Sequence, residues 1–128
     1  MTPPACRAGR LCRWLVLLGC VYCLLAQGAG AMSIRELRAL ERSDPEHGED
    51  YALYYLLGIM EATLHAEAAA VRAGLPPRIC LKGRRLEPDM VASLYRTELR
   101  RNADVYEADM PVALVFANAL ATVYVCQQ

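Results

Sequence analysis

Between Ser43-Asp44-Pro45 and the pair Pro76-Pro77 runs a stretch, Tyr51–Ala73, with no proline and one internal glycine, Gly58. A run of that length and composition is compatible with one regular element, a long helix. Gly58, Ala62, Ala66, Ala70 and Ala73 recur three or four apart and so share one helical face. A face of Gly and Ala admits close approach of a second backbone. Leu53, Leu56, Leu57, Ile59, Met60 and Leu64 cover much of the remainder. The stretch predicts a central, largely buried helix whose small-residue stripe receives the last helix of the chain.

The N-terminus reads as a leader. Residues 1–13 carry Arg7, Arg10 and Arg13 and no acid. Trp14–Ala26 is uncharged and apolar, and Gln27–Ala31 ends in Ala29-Gly30-Ala31. This three-part layout is that of a secretory signal peptide cleaved ahead of Met32. The apolar run is shorter than the roughly 20 residues of a spanning helix, which argues against a retained anchor. Leu17-Leu18-Gly19-Cys20 also has the form of a lipoprotein cleavage box. A membrane association therefore enters only through an uncleaved leader or a lipidated Cys20. Residues 32–128 are expected to form one domain in the periplasm. The whole chain is formally neutral, but without the leader arginines it keeps 11 basic and 14 acidic residues. That mildly acidic balance argues against nucleic acid as a partner.

Six cysteines suggest a three-bridge framework, yet Cys6, Cys12, Cys20 and Cys23 fall in the leader. Cys80 and Cys126 remain, and two cysteines in an exported chain usually pair. Two free thiols or an intermolecular bridge are the alternatives. An intramolecular bridge closes a loop of about 47 residues, worth about 4 kcal/mol in the chain-entropy model. Neither cysteine has a second ligand pair nearby, so no metal site is indicated.

Along the mature chain, Ser33 and Glu36 form a capping box ahead of a short amphipathic helix with Ile34, Leu37 and Leu40 on one side. This piece is either a helix or part of a mobile terminus. Asp44 and Pro45 predict that the central helix begins near Pro45 and tightens after Gly48, and Gly74 stops it. From Arg72 to Arg85 there are five basic residues and no acid. This connection is either a solvated surface loop or a basic binding edge. Pro88 opens a helix with the apolar stripe Met90, Val91, Leu94, Tyr95 and Leu99. Asp109 is a candidate cap for a final helix, Pro111–Val125, which holds no charge and is expected to be buried. The fold class is therefore all-α, a small disulfide-stabilised bundle of about four helices.

Chemistry is sparse. Glu61 and His65 lie four apart on the central helix, with Glu67 near them, but a zinc site needs three or four ligands. There is no nucleophile elbow, phosphate loop or HExxH, so no catalytic residue is assigned and no cofactor is expected. Tyr51 and Tyr54 suit either a core edge or a protein interface. Tyr55 is placed in the core, and Asn118 reads as a satisfied buried amide.

Several features in order resemble one family. They are Tyr54-Tyr55-Leu56-Leu57-Gly58-Ile59 in a helix, Ile79-Cys80-Leu81 after it, and the amphipathic Met90–Leu99. A Met110-Pro111-x-x-Leu114-Val115 helix start and Val125-Cys126 follow. This pattern is similar to the Rap/Tai family of periplasmic immunity proteins. Family members often carry a further cysteine in the first core helix, a His-Pro pair before the last helix and Pro-Ala at its start. Here the first is absent, and Arg101-Asn102-Ala103 and Pro111-Val112 stand in the other two places.

The resemblance implies a small exported helical protein with a disulfide that binds a protein effector of the cell-wall amidase class, delivered by type VI secretion. It carries no catalytic residues over. Candidate contacts are Arg78, Lys82, Arg84 and Arg85 in the basic loop, with Tyr51 and Tyr54. A homodimer stays open. The rival class is a general envelope protein such as a stress chaperone, which works by exposing apolar surface.

Overall fold

The computed structural model describes residues 30–126. Those residues form an all-α bundle of four helices: α1 (Ile34–Glu41), α2 (Gly48–Arg72), α3 (Pro88–Arg101) and α4 (Val112–Val123). The signal-peptide and Cys20 expectations fall on residues 1–31, almost wholly outside the described part. No described helix is long and apolar enough to cross a membrane.

α1 is a fixed part of the fold and not a loose terminus. Its capping box is complete: Ser33 Oγ accepts from the Glu36 amide, and the Glu36 carboxylate accepts from the Ser33 amide. The next two amides, of Ile34 and Arg35, donate to the carbonyls of Met110 and Ala108 at 3.0 and 2.7 Å. In return Met32 accepts from the Val112 amide at 2.9 Å, so an isolated bridge joins Ser33 to Pro111. The groups that a helix start leaves unpaired are thus satisfied by the linker ahead of α4. α4 begins at Val112 by this contact, without the Asp109 cap expected from sequence.

The core gathers Ile34 and Leu37 of α1, Ala52 and Leu56 of α2, and Val91 and Tyr95 of α3. Val112, Val115, Phe116 and Leu120 of α4 complete it. Burying each Val, Leu, Ile or Phe stabilises by about 1.5–3 kcal/mol. α2 packs on α1, α3 and α4, and α3 packs on α4. The chain passes close to itself at Gly48, where an added Cβ would stand 2.3 Å from the Glu41 carbonyl oxygen. The regular part of α2 starts there, and the turn that leads into it from Pro45 is capped by Asp44, whose Oδ1 accepts from the amides of Glu46 and His47 while its carbonyl accepts from the Gly48 amide at 2.9 Å.

Two expectations about burial are overturned. α2 is not largely buried: beyond Leu56 its one buried residue is Glu67. The Gly58–Ala73 stripe does not receive α4. Gly58, Ala62, Ala66 and Ala73 are exposed, and a Cβ on Gly58 would meet nothing within 4 Å. The side of α2 that meets the core is the one that carries Ala52 and Leu56, and at about 100° per residue Gly58 and Ala62 are turned away from it. α4 itself ends at Val123 and exposes Leu114 and Val123, while Val125 is exposed beyond it.

Candidate functional site

The basic connection is built from the end of α2 outward. Ala73 caps the helix and Gly74 follows at φ +88. The Leu75 amide donates to Ala70 and the Gly74 amide to Val71, the paired bonds of a Schellman stop. Pro76-Pro77 then lead the chain back along α2. There the amides of Arg78 and Ile79 both donate to Glu67 Oε1, and the Arg78 guanidinium donates to Oε2 at 3.2 and 3.3 Å. Four N–H donors of one residue pair, two from the backbone and two from the guanidinium, therefore converge on one carboxylate. The Glu67 side chain is 8% exposed and that of Arg78 is 76% exposed. The Arg78 amide bond, first among several donors, holds the Glu67 carboxyl below its ordinary range against the opposing effect of burial.

Past this clamp Ile79 enters the core and Cys80 is bridged to Cys126, with Cα atoms 5.0 Å apart. The Cys80 amide also donates to the Tyr124 carbonyl at 2.8 Å. The loop then turns at Lys82 and Gly83, both at positive φ, and closes with the Arg84 amide on the Leu81 carbonyl. Arg84 lies 5.8 Å from the ring centroid of buried Tyr124. Arg85 is exposed. The basic segment is therefore anchored at Glu67, at the disulfide and at Tyr124, while it presents Arg78, Arg84 and Arg85 outward.

Between this loop and the second half of α2 runs an apolar groove of about 470 Å³ lined by Leu64, Ala68, Val71, Ile79 and Leu81. Arg72 and the Glu67 clamp stand on its walls. Val71 and Leu75 are exposed beside it.

Tyr51 and Tyr54 belong to a different surface. Both are exposed, Tyr54 at 70%. Tyr51 stacks on His47, with ring centroids 6.2 Å apart. Tyr51 is sixteen residues from Glu67 on the same helix, about 24 Å by helical rise, and their directions differ by about 160°. The structure thus divides the candidate contacts into a basic loop and a distant tyrosine pair. Tyr55 is half-buried against the core, as expected. Glu61 and His65 are exposed and share no hydrogen bond, and no metal-sized cluster of ligands occurs among the described residues.

Two buried acids carry more of the architecture than sequence reading assigned. Glu67 is one. Glu98 is the other: its Oε1 accepts from Asn102 Nδ2 and from the Tyr106 hydroxyl, each at 2.8 Å. Asn118 Nδ2 donates to the same hydroxyl at 3.0 Å, so Asn118 is satisfied but exposed and not buried. Burial, foremost, raises the Tyr106 pKa and keeps the phenol a donor. The signal for Glu67 was present. It is the one acid between Glu61 and Glu87, facing five basic residues in the same interval.

No family model, curated protein or solved structure matches the chain.

Proposed function

We propose that this is an exported protein-binding inhibitor of the Rap/Tai immunity type, which neutralises a cell-wall amidase effector in the periplasm by covering its active site. The observation that carries the proposal is the basic loop fastened by Glu67 and Cys80–Cys126 along an apolar groove. A held loop loses little conformational entropy on binding, and an apolar trough rimmed by arginine suits an acidic, partly apolar partner surface. The order of sequence features shared with the family supports the choice of partner class. Tyr51 and Tyr54 form a second, separate edge.

The test is co-purification with an amidase-type effector encoded alongside the protein. A stable complex that lacks amidase activity is expected. Reversing Arg84 and Arg85 to glutamate should weaken it about tenfold or more, chiefly through slower association. Absence of a complex, together with no protection of cells exporting that enzyme, rejects the proposal. The exposed apolar residues Val71 and Leu75 favour a second reading, a chaperone of the envelope. Broad suppression of aggregation of unrelated proteins, with no specific partner, supports that reading instead.

A further inference from the structure

A second recess lies between α1 and α3, away from the basic loop. It holds about 210 Å³. Leu37, Leu99 and the ring of Tyr95 give it an apolar floor, and exposed Arg38, Arg96 and Arg100 stand at its edge. The Tyr95 hydroxyl is buried and has no hydrogen-bond partner. Native buried polar groups are nearly always paired, so an orphan at the wall of a recess marks a missing partner.

An acidic acceptor suits the surroundings: Arg38, Arg96 and Arg100 are cations, and the one carboxylate at the recess, Glu41, is engaged with Arg96 at 3.5 Å. Arg100 bonds only the Thr97 hydroxyl, and Arg38 is in no ion pair among the described residues. The recess thus has two arginines without a carboxylate and one phenol without an acceptor. Burial pushes the Tyr95 pKa up to about 12, so the phenol stays a neutral donor at ordinary pH. Tyr95 lines the recess together with Arg38 and Glu41.

We infer that the α1–α3 recess is a binding site for an apolar carboxylate. The carboxylate accepts from the Tyr95 hydroxyl and from Arg38 and Arg100, and the apolar part lies on Leu37 and Leu99. Arg38, on the short helix α1, moves aside to admit it. A free organic acid and the C-terminal residue of a polypeptide supply the same group. The site is independent of the proposed inhibitory surface.

Titration of the protein with hexanoate, followed by NMR shifts of α1 and α3, tests the inference. Saturable shifts at Arg38, Tyr95 and Arg100 are expected, and hexanol should cause none. Tyr95→Phe and Arg38→Ala should each weaken hexanoate about tenfold, the scale of one hydrogen bond to a charged group. Arg38 is exposed, so its variant retains the fold. Acetyl-Ala-Leu as the free acid and as the amide separates the sources: an acid tighter than hexanoate marks a chain terminus, and a weaker one marks a small free acid. Either result requires the amide to fail. Unsaturable shifts, equal binding of hexanol or the amide, or full affinity in both variants overturns the inference.

Discussion

Arg78 is bound to Glu67 twice, through its backbone amide and through its guanidinium, and the two halves of that contact differ in worth. The guanidinium is mostly in water, where an ion pair contributes little. The amide, with that of Ile79 beside it, faces a nearly buried carboxylate. Arg78→Ala should therefore cost under about 1 kcal/mol. Glu67→Ala strips the acceptor from two amides and should cost about 2–3 kcal/mol. Urea unfolding of the two variants checks the order, and a larger loss for Arg78→Ala would contradict it.

The same carboxylate makes stability depend on pH. Its folded pKa lies below the ordinary value of 4.5. A depressed carboxyl pKa contributes stability that is fully present above the unfolded value and is lost as pH falls through the folded one. The advantage of the native protein over Glu67→Gln should be flat above about pH 5 and should shrink on acidification below about pH 4.5. An advantage that instead grows as the acid is added has the wrong sign.

Gly48 and Gly58 sit in one helix and should answer oppositely to alanine. At Gly48 the new methyl collides with the Glu41 carbonyl, and α1 must move; a cost of about 1–3 kcal/mol is expected. At Gly58 the methyl meets only solvent, so helix propensity decides and a gain of about 0.5–1 kcal/mol follows. Thermal unfolding of both single variants reads the contrast directly.

A chain of residues 32–128 should show no thiol when denatured without reductant, because Cys80 and Cys126 are joined. Paired Cys80→Ser and Cys126→Ser should lose about 4 kcal/mol, the chain-entropy value for a closure of this length. One or two titratable thiols per chain would contradict the bridge.

Local signals were legible in the sequence where a few neighbouring residues decide the outcome. Ser33 with Glu36, Gly74 after α2 and Pro88 at the head of α3 are such cases, because caps and stops depend on adjacent backbone groups. The burial of α2 was not legible. An alanine–glycine face has the same pattern whether it meets a helix or water, and which it meets is decided by the packing of the other helices on the side that carries Ala52 and Leu56. The Glu67 clamp was hidden for a related reason. Its partners stand 11 and 12 residues later, beyond a Pro-Pro turn whose direction no periodicity encodes. The separation of Tyr51 and Tyr54 from the arginines likewise follows from a helix length that the sequence pattern showed and a loop path that it did not.

The bridge between Ser33 and Pro111 has a kinetic consequence. Met32–Arg35 are bonded to the segment ahead of α4, and Cys126 is bonded to Cys80. Peeling is thus blocked at both boundaries of the bundle, and opening must start within it. The longest helical stretch without a buried residue is Leu57–Ala66 of α2. Among the helices, amide deuterium exchange should be fastest there, around Glu61–Ala66, and slow in α1 and α4, so that the bundle breathes from its middle.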